Sequence, residues 1–403
     1  MPQRHEIHVI GGGLAGLAAA ALAARAGAPV VLHETRHRLG GRATTDDHHG
    51  FLVDQGPHAL YRGGAATRVL GELGVSPRGV APVVEGIVVR DGQVHRAPTG
   101  PSSLLRTTAF DLRDKAELGR LLATLPRVDP AEHARRSTAE WVDGVARRPR
   151  VREALHMLVR LTSYVNHADA LSADAAITML QRGTGPGVLY LEGGWQQLVD
   201  SLATAARAAG VRIEVGEPVR ELPDAAAVIV AAGGPANVGA LVRQRFDVGP
   251  SADVACLDVG IQGPPPQPVA LGLDQPMYAS HHSLAPGRAP AGRSLLATAE
   301  YLAPGAEPDR DRLERWVRAI GVTDDQIVAQ RYLHRMVACS AIPVAAAGGL
   351  AGRPAAQVPG RPGVLVAGDW VGPEGHLADA TFASAEAAAR LAVAHVDRLP
   401  VVG

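Results

Sequence analysis

Residues 5–34, HEIHVI-GGGLAG-LAAAALAARAGA-PVVLHE, constrain the fold of this chain more than any other stretch. His5–Ile10 reads as a buried parallel strand, and Leu17–Ala26 as an alanine-rich helix without a breaker that Gly27 stops. Pro29–Glu34 reads as a second strand ending in an acid. Gly11, Gly13 and Gly16 occupy the G-x-G-x-x-G places, with Leu14 and Ala15 between the last two. The first glycine permits a tight turn, the second lets the backbone approach a pyrophosphate, and the third allows close helix–strand packing. The helix N-terminus directs free N–H groups and a partial positive charge at the phosphates. Glu34 lies 18 residues beyond Gly16, near the roughly 20-residue spacing of a carboxylate that bonds ribose hydroxyls. An acid there, rather than an arginine, favours a plain ribose over a 2′-phosphate.

The pentapeptide GGLAG recurs at Gly348–Gly352 without that context. It runs into RPAAQVPGRPG, whose prolines forbid a helix start, and Ala347 stands where the first glycine belongs. It reads as a flexible turn. One dinucleotide site is therefore expected.

After Glu34 come HETRHRLGGRATT and DQGPHAL, which place Arg36, Gly41 and Arg42 just past the ribose carboxylate. Guanidinium groups there can meet phosphate or flavin polar atoms bidentately. An acid followed by R-x-x-x-G-G-R resembles the flavoprotein superfamily of amine oxidases, protoporphyrinogen oxidases and phytoene-desaturase-like dehydrogenases. The resemblance implies non-covalent FAD, with Gly56, Pro57 and His58 beside its ring. LEGGWQQLVDSLATAARAAGVRIEVGEPVREL (191–222) and DAAAVIVAAGGP (224–235) match the same superfamily. By that likeness the backbone at Val219 bonds the adenine. GVLVAGDWVGPEGHLADATFASAEAAARLAVAHV (363–396) puts Gly368 and Asp369 at a strand end, where the acid can bond ribityl hydroxyls. The helix starting near Leu377 and Ala378 then stabilises negative charge on the flavin's pyrimidine side.

The matches at both ends and the middle imply an α/β chain whose parts interleave. A Rossmann-like FAD-binding domain with a doubly wound parallel sheet is expected from 1–85, 190–255 and 350–403. An α+β substrate domain is expected from 86–189 and 256–349. The first insertion shows helical patterns, and the second shows strand-like ADVACLDVGIQ and SLLATAEYL, a helix at Arg310–Ile320 and a strand at Ile327–His334.

Flavins accept the hydride themselves, so a catalytic triad is not required. His58, Tyr278 and His282 are the candidate catalytic residues, and His281, Ser283, Tyr332 and Arg335 further pocket candidates. His58 has a simpler alternative, a bond to a loop carbonyl. Adjacent histidines on a strand point to opposite faces, so His48-His49 and His281-His282 do not suggest metal. Cys339 reads as a small core residue. The amine oxidases commonly carry a lysine near flavin N5 and an aromatic cage. The single lysine, Lys115, is poorly placed for the first role. Leu377 replaces one cage aromatic, Pro343–Ala347 supplies none for the other wall, and aromatics are 3% of the chain. The expected reaction is dehydrogenation, desaturation or oxidation at a C–C or C–N bond of a mainly apolar small molecule, in secondary or lipid metabolism. An amine oxidase releasing hydrogen peroxide and a protein with purely structural FAD are the alternatives.

Lys plus Arg and Asp plus Glu cancel at 40 each, so no global field favours nucleic acid. Neither a leader after MPQRHE nor an apolar run long enough to span a bilayer is read, and two cysteines make no disulfide framework, so a cytoplasmic protein is expected. A peripheral membrane contact or a homo-oligomer stays open.

Overall fold

The computed structural model describes residues 5–83 and 85–400. Met1–Arg4, which the leader reading used, lie outside the described residues. The chain opens with β1 (Ile7–Ile10), α1 (Leu14–Arg25) and β2 (Val30–Glu34), then the hairpin β3 (Thr45–His48) and β4 (Phe51–Asp54). β5 (Leu60–Tyr61), α2 (Ala65–Glu72) and β6 (Gly79–Val80) follow. The first insertion holds β7 (Ile87–Arg90), β8 (Gln93–Arg96), α3 (Pro101–Arg106), α4 (Leu112–Thr124), α5 (Thr138–Val145), α6 (Pro149–Ser163) and α7 (Ala173–Thr184). The chain returns through β9 (Val188–Leu191), α8 (Gln196–Ala208), β10 (Arg212–Val215), β11 (Ala227–Val230) and α9 (Pro235–Val242). The second insertion is β12 (Ala252–Gln262), β13 (Val269–Gly272), β14 (Met277–His281), β15 (Arg293–Tyr301), α10 (Arg310–Ala319) and β16 (Ile327–Cys339). β17 (Val364–Val366) and α11 (Ala378–Val396) close the chain.

Five strands form a parallel sheet in the order β10-β2-β1-β11-β17. The chain winds outward from β1 through β2 to β10, then crosses back to β11 and β17. The winding reverses between β1 and β11, and ligands of such sheets bind outside the strand ends at that point. Gly11 stands there with φ 107°, and a Cβ on it would lie 2.5 Å from Ala231 O, just past β11. α1 starts at Leu14, three residues before the sequence reading places it, because Gly13 is already its extended N-cap. Its residues Ala15–Ala24 are all buried, since the helix is packed by α11, α8 and the sheet together. A helix enclosed on every side must be apolar all round, and alanines let its neighbours approach closely.

The second sheet runs β16-β12-β15-β14-β13-β7-β8, antiparallel throughout except β13–β7. β7 and β8 come from the first insertion, so both insertions share one sheet. β12 is buried on both faces, and its first residues, Ala252–Ala255, already pair in this sheet. Its Cys256 face packs on the helical insertion with Trp141, Leu155 and Ile177. Its Leu257 face packs on α10 through Leu313, Trp316 and Val317. β16 extends five residues beyond the expected strand end at His334, following β12 through several register shifts.

The second GGLAG is an ordered turn rather than a flexible one. Gly349–Gly352 form a 3₁₀ turn around the buried carboxylate of Asp174 on α7, which accepts a 3.0 Å bond from Leu350 N. A glycine nest is indeed built there, and its anion is the chain's own side chain.

Candidate functional site

At the switch point, Gly12 N donates to Glu34 Oε2 at 2.6 Å and Arg36 N donates to Glu34 Oε1 at 2.9 Å. The Arg36 guanidinium is exposed. Gly16 must be glycine, because a Cβ would collide with Gly11 O. Gly13 differs: at φ −79° it is in ordinary extended backbone, and a Cβ would meet only Gly40 O at 3.9 Å. Gly41, across from it, is similarly open. α1 has no side-chain cap and no acid in its first turn, so the amides at Leu14, Ala15 and Gly16 face this opening as an anion site. Val219, in the loop after β10, is partly buried.

Arg42 and Asp369, 327 positions apart, meet beside it. Arg42 Nη2 lies 3.1 Å from Asp369 Oδ1, and Nη1 donates to Oδ2 at 3.2 Å and to Val337 O at 3.2 Å. Burial acts to raise the Asp369 pKa, but Arg42 and the 2.9 Å bond from Ser340 N outweigh it and hold the acid ionised. Gly368 is tied to α11 by reciprocal bonds with Ser384 Oγ. Leu377, the N-cap of α11, has φ 53°, an unusual conformation for leucine, and Ala378 opens the helix. Leu377 packs on the core of the helical insertion.

Two of the three candidate catalytic residues, Tyr278 and His282, meet at Tyr190, which sequence reasoning missed. Tyr190 Oη lies 2.6 Å from Ser280 Oγ and 3.1 Å from Tyr278 Oη. His282 stacks on the Tyr190 ring with centroids 4.3 Å apart. Burial, then the charge of Arg288, push the His282 pKa down to about 3, and its Nε2 is buried without a partner. Burial raises the pKa of Tyr278 and of Tyr190, keeping both hydroxyls protonated. His282 lies in a turn just past β14 rather than on the strand, so the alternating-face argument for His281-His282 does not hold. His49, with φ 55°, has likewise left β3. His58 does make the simpler contact, Nδ1 to Gly56 O at 2.8 Å, and its ring lies 4.9 Å from Trp195. Pro57 is buried beside it, and Gly56 packs on Cys256, where a Cβ would lie 3.1 Å from Sγ.

Tyr61, Tyr164 and Tyr301 complete the cluster, with Tyr164–Tyr301 and Tyr278–Tyr301 centroids 5.9 and 6.4 Å apart. Five of the six tyrosines thus gather in one place. A low aromatic percentage says nothing of such clustering, and the composition argument against an aromatic pocket falls. Beneath lies an ion pair also missed, Arg288 Nη1 to Asp54 Oδ2 at 2.8 Å, with both side chains at most 3% exposed. Thr45 Oγ1 and Trp195 N also donate to Asp54. The signal was present in DQGPHAL, but read only for its loop residues.

Tyr332 and Arg335 do not join the pocket. Tyr332 lies on the α10 face under Arg310, and Arg335 pairs with Asp253. Lys115 is on α4, donating to Leu105 O at 2.8 Å. Cys339 is fully buried, and burial pushes its thiol up to about 12. Among the described residues no three His, Cys, Asp or Glu side chains form a metal-holding group.

The profile described as "Flavin containing amine oxidoreductase" matches residues 14–239, more than half the chain. The chain belongs to that family. A coproporphyrinogen III oxidase of Propionibacterium freudenreichii is 45% identical over 76 residues, 18% of this chain and 14% of the relative. A hydroxysqualene dehydroxylase of Rhodopseudomonas palustris is 45% identical over 62 residues, 15% of either chain. The matched segments thus span only about a seventh of these relatives' length. In structure the chain is similar to an oxidoreductase of Methanosarcina mazei, with TM-score 0.72, 18% identity, and 94% and 98% of the two chains covered. It is also similar to putrescine oxidase solved with putrescine, with TM-score 0.71, 16% identity and 97% and 99% coverage. At such identities the likeness speaks for the fold alone.

The cofactor of this flavin family member is FAD, and its residues fit that group. Gly13 and Gly41 leave room for a diphosphate against uncapped amides, and Glu34 stands at the ribose position. Arg42 and Asp369 would hold the diphosphate and ribityl region, while Gly56–His58 and Leu377–Ala378 would border the ring.

Proposed function

We propose that this family member takes a hydride from a C–C or C–N bond of a mainly apolar small molecule to flavin N5. The supporting observation is that both ring-bordering segments abut one apolar core. Gly56 packs on Cys256 and Leu377 packs on the helical insertion, and that same core contains Tyr278 and Tyr301. Bound FAD supplies the hydride-accepting ring. Around it the chain excludes water and presents protonated tyrosine hydroxyls as donors that orient a carbonyl or hydroxyl of the substrate. His282 Nε2, the unpartnered buried acceptor among the three candidate catalytic residues, is held neutral by burial and accepts a hydrogen bond that orients a substrate O–H or N–H, while the proton released with the hydride leaves to solvent. His58, with Nδ1 engaged by Gly56 O, positions the loop.

The tyrosine cluster also favours a second reading, an amine oxidase, because aromatic faces attract cations. The nearby carboxylates are already engaged, Asp54 by Arg288 and Asp379 by Ala66 N, which favours a neutral substrate over an ammonium. Cytoplasmic location and a role in secondary metabolism belong to the same proposal. Among the described residues no helix is long and apolar enough to cross a membrane.

The test is anaerobic incubation of the FAD-loaded protein with a metabolite extract, following bleaching of the visible flavin band and identifying the consumed compound. A neutral apolar consumed compound supports the first reading; peroxide release from a panel of amines supports the second. His282→Phe, which removes that acceptor, is expected to slow flavin reduction at least about tenfold while leaving the flavin spectrum unchanged. No bleaching with any fraction would leave FAD as a structural group and overturn the proposal.

A further inference from the structure

The outer face of the first insertion presents apolar side chains that nothing in the fold covers. Leu112 is 80% exposed and Leu105 is 71% exposed, the two most exposed large apolar side chains among the described residues. They belong to adjoining helices: Lys115 Nζ, one turn beyond Leu112 on α4, donates to Leu105 O near the end of α3 at 2.8 Å. At about 3.6 residues per turn, Leu112, Ala116 and Ala123 share one stripe of α4, and all three are exposed. The opposite side of α4 carries the buried Asp114 and Leu118. One apolar face thus anchors the helix, and a second meets water.

Arginines flank the exposed stripe. Arg106, Arg113, Arg120 and Arg127 recur every seven residues, and all four are exposed. Arg113 and Arg120 run along one edge of the α4 stripe, since a seven-residue step returns a helical side chain to within about 20°. Arg106 ends α3, and Arg127 follows the C-terminal end of α4. Among the described residues none of the four forms an ion pair. The neighbouring acids are engaged elsewhere: Asp111 and Asp114 both bond Arg148, and Glu117 accepts from Arg147 N. The chain as a whole is neutral, with 40 basic and 40 acidic residues, so this surplus belongs to the face itself.

We propose that this face docks the protein on a membrane surface of anionic phospholipid, with Leu105 and Leu112 entering the boundary between headgroups and acyl chains. Each leucine gains by leaving water, and each arginine by approaching the lipid phosphates. A nucleic acid would engage the arginines and leave the leucines in water. A second copy of this chain, meeting the same face, would set the arginine row against itself. The apolar substrate proposed above would dissolve in the same bilayer, a consequence that rests on that reading; the docking itself does not.

The test is sedimentation of the FAD-loaded protein with vesicles of phosphatidylglycerol and phosphatidylcholine in equal parts, beside vesicles of phosphatidylcholine alone, and needs no substrate. Binding to the mixed vesicles is expected, at least about tenfold weaker without phosphatidylglycerol. Leu105→Ser combined with Leu112→Ser should weaken it at least about tenfold. Arg113→Gln combined with Arg120→Gln should do the same. All four side chains are exposed, so the flavin spectrum of both double variants should match the parent. No binding to the mixed vesicles, equal binding to phosphatidylcholine alone, or undiminished binding of the serine variant would each overturn the proposal. So would duplex DNA displacing the vesicles with equal strength from parent and serine variant, or light scattering that shows a dimer which the serine variant loses.

Discussion

His282 and Asp54 lie buried on either side of Arg288, and their ionisation decides how the protein responds to acid. The folded-state pKa of His282 is about 3 against an ordinary 6.5. Below about pH 6.5 the unfolded chain therefore binds a proton that the folded chain refuses, and stability falls as pH drops towards 3. His376 acts in the same direction, burial pushing it down to about 4. Burial acts to raise the Asp54 pKa, but Arg288 leads the contacts that hold it below 3.8, so its contribution is lost only at lower pH still. The two histidines should therefore lower the urea midpoint between about pH 6.5 and pH 4, before Asp54 titrates, against the opposite pull of Asp258, Glu300 and Asp379, whose pKa values burial raises. His282→Gln should flatten that slope in part, leaving the His376 share. A variant as steep as the parent would contradict the burial of this imidazole. The ion pair beneath makes a separate claim. Asp54→Asn leaves Arg288 charged and unpaired, and a loss of about 3–5 kcal/mol is expected in urea denaturation. A loss below about 1 kcal/mol would mean that water already reaches the pair.

The two glycine clusters show how an element's role depends on what its backbone faces. Gly13 sits at an allowed φ with open space beyond it, so Gly13→Val should fold with nearly unchanged stability and yet lose bound FAD. Gly349 sits at φ +67°, and a Cβ there would strike the Asp174 carboxylate. Gly349→Ala should destabilise the fold by about 2 kcal/mol or more. Flavin absorbance per folded protein and urea midpoints on the two purified variants check both. Reversed outcomes would exchange the two roles. The first cluster was legible in the sequence because strand, helix and acid surround it within 30 residues. The second was not, because its partner Asp174 lies 176 positions from Leu350. Arg42 and Asp369 could be named from their local motifs, but only folding shows that they touch. Tyr190 carried no local signal at all, since its importance comes from β14 delivering Tyr278 and Ser280 beside it.

At the scale of the whole molecule, the cofactor site and the joint between the sheets are mechanically continuous. Arg42 bonds Val337 O on β16 as well as Asp369, and Arg331 on β16 bonds both Asp258 on β12 and Asp54 O on β4. A dinucleotide held by Glu34, Arg42 and Asp369 would therefore fix the seven-stranded sheet against the five-stranded one. Binding only to the folded state stabilises it by about 2.7 kcal/mol when free FAD is 100 times its Kd. The gain should be felt at the two segments that join the sheets, residues 247–250 before β12 and 340–344 after β16. Arg245 is exposed two residues before the first of these segments and offers a trypsin site there. Removing FAD should lower the melting temperature and speed cleavage after Arg245, whereas cleavage after the exposed Arg106 of α3, far along the other insertion, should change less. If both sites respond equally, FAD merely raises global stability. If Arg245 alone responds, the cofactor clamps the joint, and the position of Arg42 between β16 and Asp369 is the physical reason.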